Sequence, residues 1–169
     1  MSKTAAKNIV ERADRFAEER HEGQFRRDGR TPYVEHPRNV MAILRDELGV
    51  EDPEVLAAAL LHDTIEDTRT DYDDLCGRFG KRVADIVSVL TKDKRLPELR
   101  REREYFARLA RASRDARLCK VADTLHNLHD TDAAHRPKAL GKGRTLLRLF
   151  RNSPGLREAV QLLMKEVSR

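Results

Sequence analysis

The run "ALLHDTIEDT", residues 59–68, sets His62, Asp63, Glu66 and Asp67 within six positions, directly behind an apolar stretch. Side chains three and four apart share a helix face, so the spacing predicts His62 above Glu66 and Asp63 above Asp67. Carboxylates near a helix C-terminus oppose its dipole, at a cost on the order of 0.3 kcal/mol or more per charge. That cost points to a chemical demand for the carboxylates. Two more polar residues stand in uncomfortable places. His36 precedes Pro37, which restricts the backbone before it and sets His36 at a helix entrance. Asp123, in "KVADTLHNL", is bordered by Leu118, Val121, Ala122, Leu125 and Leu128, so it edges toward a core and needs a partner there. His36, His62, Asp63 and Asp123 supply two imidazoles and two carboxylates, a mixed N/O set suited to one divalent transition metal such as Mn, Fe or Co.

Apolar residues recur at helical spacing along nearly the whole chain and no segment alternates at period two, so the fold class is expected to be all-α, a bundle of about eight to ten helices. A first helix near residues 4–22 carries Ile9, Ala13, Phe16 and Ala17, and "EGQFRRDGRTPY" breaks it. A second has Pro37 in its first turn, turns Val40, Ile43, Leu44 and Leu48 inward and stops at Gly49. Asp52 and Pro53 read as N-cap and first residue of a third, which ends in the opening motif. Further helices are expected near 71–79, 81–91, 98–112, 115–130, 139–151 and 156–167. "RNSPG", residues 151–155, reads as a turn between the terminal helices rather than a domain border.

A chain of 169 residues is long enough to bury one core, and residues 1–169 are expected to form a single domain. The longest apolar run, "VLAAALL" at 55–61, falls far short of the roughly 18 residues of a membrane span. The opening "MSKTAAKNIVERAD" has no apolar core or small-residue cleavage pattern, so a cytoplasmic protein with no membrane partner is the expectation. Cys76 and Cys119 read as small buried hydrophobes rather than a disulfide framework. Net charge is a modest +5, but residues 46–74 hold eleven Asp or Glu against Arg69 alone, whereas 92–120 hold eleven Lys or Arg against five acids. Carboxylates for a cation and arginines for phosphates would suit a polyanion held at a metal. A nucleic-acid-binding protein with a basic helical surface is the competing class, and it would gain from basic residues interleaved with aromatics; at 5% aromatics this composition argues against nucleic acid as a partner.

His36, the His62–Asp63 pair and Asp123 resemble the H…HD…D ligand set of the HD superfamily of metal-dependent phosphohydrolases. The surrounding segments "TPYVEHP", "ALLHDTIEDT", "FG" at residues 79–80, "KDKRLP" and "KVADTLHNL" resemble the hydrolase domain of RelA/SpoT-type proteins and the small alarmone hydrolases, from about residue 8 to about 135. The resemblance implies one Mn(II) held by His36, His62, Asp63 and Asp123, with Glu66 and Asp67 activating the attacking water. It implies substrate roles for Arg26 and Arg27, which match a basic pair that stacks on the base and approaches phosphate, for Asn127 in the nucleotide pocket, and for Arg144 on a far phosphate. The implied activity is cleavage of the 3′-diphosphate of (p)ppGpp with release of pyrophosphate. Another nucleotide, such as (p)ppApp or NADPH, is the nearest alternative. Glu98, Thr124 and the lack of a tyrosine near Arg148 depart from the family pattern, which bears on base and phosphate selection. His126, His129 and His135 are expected to be surface or helix-packing residues, and a homo-oligomer is left open.

Overall fold

The computed structural model describes residues 3–169, with side chains from Asn8 onward. Among these residues there are ten α-helices and no strand. They are α1 (Lys3–Arg20), α2 (Glu35–Ala42), α3 (Pro53–Leu61), α4 (Thr64–Asp67), α5 (Tyr72–Phe79), α6 (Lys81–Leu90), α7 (Glu98–Ala110), α8 (Arg114–His129), α9 (Arg136–Phe150) and α10 (Arg157–Val167). The all-α expectation holds, and most boundaries fall within two or three residues of those read from periodicity.

Helix α3 is the centre of the molecule. Asp52 caps it, accepting a hydrogen bond from the Glu54 amide at 3.0 Å, and Pro53 opens it. Every residue from Val55 to Leu61 is buried, because α1, α2, α6 and α8 pack around it. Each fully buried Leu contributes about 1.5–3 kcal/mol relative to exposure, so this short apolar helix anchors the His62–Asp63 segment attached to its end.

Three local features differ from the periodicity. The second helix passes into a π-helical turn at Ile43–Glu47, where the Leu48 amide donates to Ile43 O at 3.1 Å, before Gly49 ends it at φ +62°. Helix α9 begins three residues earlier than expected. Most consequentially, the HD and ED pairs do not ride on one continuous helix. Helix α3 stops at Leu61, whose carbonyl accepts from the Thr64 hydroxyl at 2.7 Å, and the four-residue α4 then carries Glu66 and Asp67. The penalty expected from acids at the end of a long helix is therefore largely absent.

The loop between α1 and α2 is closed by a single antiparallel bridge between Phe25 and Pro32, with the Arg26 amide donating to Thr31 O at 2.8 Å. Asp28 Oδ1 accepts from the amides of Arg30 and Thr31, both at 2.9 Å. These bonds hold the Asp28 carboxyl down at about 2, the Thr31 hydroxyl contributing most. Cys76 and Cys119 are free thiols, the latter buried, as expected. No helix among the described residues is long and apolar enough to cross a membrane.

Candidate metal centre and its cleft

Three helical elements bring the H…HD…D residues together. His36 sits in the first turn of α2, His62 and Asp63 come directly after the end of α3, and Asp123 lies in the middle of α8. One ligand atom each from His36, His62 and Asp123 falls within 4.8 Å of the others, and all three residues are buried. Asp63 Oδ2 lies 3.2 Å from His62 Nε2 and 3.6 Å from His36 Nε2. His36 Nε2 is also 3.2 Å from Asp123 Oδ1.

The donor set fits a divalent cation. His62 Nδ1 donates to Ala59 O at 2.8 Å, which fixes the tautomer and leaves the Nε2 lone pair pointing at the two carboxylates. That Nε2 is buried and has no hydrogen-bond partner. Burial disfavours charge on this ring, but Asp63 and Asp123 hold its pKa up to about 9, so the cluster attracts a cation even when that cation is a proton. Neutral imidazole and carboxylate donors in this number are what a borderline divalent metal takes.

A surrounding layer, largely unforeseen from sequence, holds the donors. The Tyr33 hydroxyl donates to Asp63 Oδ2 at 2.7 Å and lies 3.4 Å from Asp67 Oδ2, linking the HD and ED pairs. Burial, and then the charge of Asp63, raises the Tyr33 pKa far above its usual value, so it remains a donor. Lys120 Nζ is 2.6 Å from Asp123 Oδ2, and the Asn127 amide donates to the same carboxylate through Oδ1 and to Asp123 O. His126, expected to be a packing residue, places Nδ1 2.7 Å from His36 Nδ1. Burial, then His36 and Arg26, lowers its pKa to about 4, so it is neutral and can accept the His36 proton. A usable signal existed: Lys120, His126 and Asn127 lie three or four residues from Asp123, and Tyr33 lies three before His36. His129, 3.4 Å from Glu166, is an exposed residue at the end of α8, in line with the expectation of a surface or helix-packing role.

Glu66 Oε2 accepts from the Lys92 amide at 2.9 Å, and Oε1 lies 3.8 Å from Lys94 Nζ. Burial is the main cause of its raised pKa, with Asp63 and Asp67 adding repulsion. Asp67 is salt-bridged to Lys94.

The centre opens into a cleft with three connected lobes. The central lobe, about 170 Å³, contains His36, His62, Asp63, Glu66, Asp67 and Asp123. A second, about 160 Å³, shares Lys120, Asp123, Asn127 and Lys142 with it and adds Arg27, Thr124, His135 and Lys138. The third, about 510 Å³, shares Glu66, Lys92 and Lys142 with the centre and extends past Glu98, Arg101 and Phe106. Of the expected substrate residues, Arg26, Arg27 and Asn127 line the cleft. Arg26 is tied to Asp130 at 2.6 Å and lies over the Tyr33 ring at 5.6 Å. Arg144 is exposed on α9 and lines none of the three lobes; Lys138 and Lys142 occupy that side instead. Glu98 and Thr124, the positions expected to depart from the family pattern, fall in the two outer lobes.

Comparison with known proteins agrees with this geometry. The human guanosine-3′,5′-bis(diphosphate) 3′-pyrophosphohydrolase MESH1 is 45% identical over 126 residues, covering 74% of this chain and 70% of that protein. The Aquifex aeolicus guanosine-3′,5′-bis(diphosphate) 3′-pyrophosphohydrolase is 43% identical over 122 residues, 70% of this chain but 17% of that longer protein. A solved structure described as a metazoan ortholog of SpoT that hydrolyzes ppGpp and plays a role in starvation responses superposes with a TM-score of 0.82, at 31% identity over 94% of this chain and 93% of the other. The family model for the HD domain matches residues 13–152, most of the chain and all of the residues gathered at the centre. The chain therefore belongs to the HD-domain family.

Proposed function

We propose that this chain is a metal-dependent hydrolase that cleaves the 3′-diphosphate of guanosine 3′,5′-bis(diphosphate) and its 5′-triphosphate counterpart, releasing pyrophosphate. The observation that carries the reading is the convergence of His36, His62 and Asp123 beneath a cleft lined with lysines and arginines, in a chain close to proteins named for this reaction. In this reading His36, His62, Asp63 and Asp123 hold one divalent metal, with Mn(II) the first choice. Such a metal lowers the pKa of water and polarises a phosphoryl oxygen when bound.

The chain's own residues do the rest. Glu66, whose pKa is raised chiefly by burial, takes a proton from the attacking water, and Asp67 with Tyr33 keeps the water side of the centre in register. Lys92, Lys120 and Lys142 neutralise phosphate charge, and Arg26 offers a guanidinium plane to the base.

The test is kcat/KM with Mn(II) on guanosine and adenosine 3′,5′-bis(diphosphate), nucleoside 5′-triphosphates and NADPH, using wild type and His62→Ala. Pyrophosphate release from the two 3′-diphosphates, lost in His62→Ala while the fold melts cooperatively, is expected. Because a guanidinium stacks on any base, guanosine is expected to be preferred over adenosine by less than roughly a thousandfold, about 4 kcal/mol. Preference for triphosphates or NADPH would reject the alarmone reading.

A further inference from the structure

The lobe that extends past Arg101 is the largest of the three, and neither metal binding nor base stacking needs it. It is walled by Lys92, Lys94, Arg101, Lys138 and Lys142 against Glu66, Glu98 and Glu102. Lys92 is paired with Glu102 at 2.7 Å and Lys94 with Asp67. Arg101, Lys138 and Lys142 make no ion pair among the described residues. Lys142, exposed on α9, has its pKa lowered by partial desolvation and then by Lys92 and Lys120, with Glu102 and Asp123 opposing the shift. Arg101, Lys138 and Lys142, three cations outside any close ion pair, outnumber the facing carboxylates of Glu66 and Glu98, and such a surplus suits a compact, multiply charged anion.

Its position relative to Glu66 identifies that anion. Glu66 lines the central and Arg101 lobes and is absent from the Asn127 lobe. In phosphoryl transfer the attacking and leaving oxygens lie roughly in line across phosphorus. Water deprotonated by Glu66 therefore approaches from the Arg101 side, and the departing 3′-oxygen points to the Asn127 side. The water oxygen bonds to the phosphorus attached at O3′, the P–O3′ bond breaks with its electron pair staying on O3′, and solvent returns a proton to that oxygen. As the phosphorus inverts, the diphosphate moves toward Glu66, away from the nucleoside.

We infer that the Arg101 lobe is a pyrophosphate chamber, which receives the inorganic diphosphate released by the reaction while the nucleoside product remains in, and leaves by, the Asn127 lobe. This rests on the proposed hydrolase activity. It places Arg101 as a product-binding residue and makes room for both products at once.

The test is calorimetric titration of the full chain, loaded with Mn(II), using inorganic pyrophosphate and then guanosine 5′-diphosphate with pyrophosphate saturating. Arg101→Ala and Arg27→Ala each alter one outer lobe only, and circular dichroism checks that both fold. Arg101→Ala is expected to weaken pyrophosphate at least tenfold and the nucleotide less than twofold, with the reverse for Arg27→Ala, and the wild type is expected to bind both together. Mutual exclusion of the two products, a reversed pattern, or no effect of Arg101→Ala on pyrophosphate overturns the chamber. A crossed pattern in a wild type that releases no pyrophosphate from guanosine 3′,5′-bis(diphosphate) keeps the chamber and overturns the hydrolase reading.

Discussion

Replacing His126 by alanine removes the acceptor 2.7 Å from His36 Nδ1 and touches no atom of the proposed ligand set. His36 is 2% exposed, so its Nδ1–H then has no partner and little access to water. Leaving a buried donor unsatisfied costs about 1–3 kcal/mol, and loss of a ligand's orienting partner lowers metal affinity about 10–100-fold. The ring can escape the penalty only by rotating or by moving its proton to Nε2, and either removes a lone pair from the metal. His126→Ala is accordingly expected to bind Mn(II) about 10–100-fold more weakly, measured by competition with a chelating dye, with thermal unfolding still cooperative. His126→Gln, which can present Oε1 to the same proton, should recover most of the affinity. Affinity within twofold of wild type in the alanine variant, or glutamine no better than alanine, would refute the orienting role.

Three further outcomes are expected. Glu66→Gln should keep Mn(II) affinity while turnover falls by roughly two to four orders of magnitude; an equal loss of metal in titration would make Glu66 a ligand. Mn(II) at about a hundred times its dissociation constant should add about 2.7 kcal/mol to stability over the chelated protein, and identical calorimetric melting curves with and without chelator would argue against a metal at these residues. Leu61→Ala, at a fully buried position one residue before His62, should cost about 2–5 kcal/mol in urea unfolding, and a loss below about 1 kcal/mol would contradict the packing of α3.

The centre was legible because its donors conflict with their surroundings: an imidazole before a proline, and an aspartate among leucines. Helix α3 was legible through Asp52 and Pro53, which act within two residues of one another. What escaped depends on distances between segments far apart in the chain. His126 meets His36 across 90 positions and Arg26 meets Asp130 across 104, separations at which periodicity carries no information. The break after Leu61 escaped because it depends on the Thr64 hydroxyl choosing a carbonyl, an option that threonine's presence in a helical pattern does not announce. Arg144 stands outside the three lobes because α9 turns Lys138 and Lys142 to the cleft, and the apolar pattern there fixes the buried stripe more firmly than the flanks.

Helix α3 has all of its residues from Val55 to Leu61 buried beneath four neighbours, and its last turn leads directly into His62 and Asp63. Amides so enclosed exchange with solvent only when the whole domain opens, whereas segments with few buried contacts open at little cost. The His62–Asp63 end of the cleft is thus expected to belong to the slowest-exchanging unit of the protein, while the exposed tip at residues 27–30, beyond the Phe25–Pro32 bridge, is expected to exchange faster. Substitutions at that tip are then expected to leave global stability nearly unchanged, whereas substitutions at His62 or Asp63 are expected to register in global stability as well as in activity.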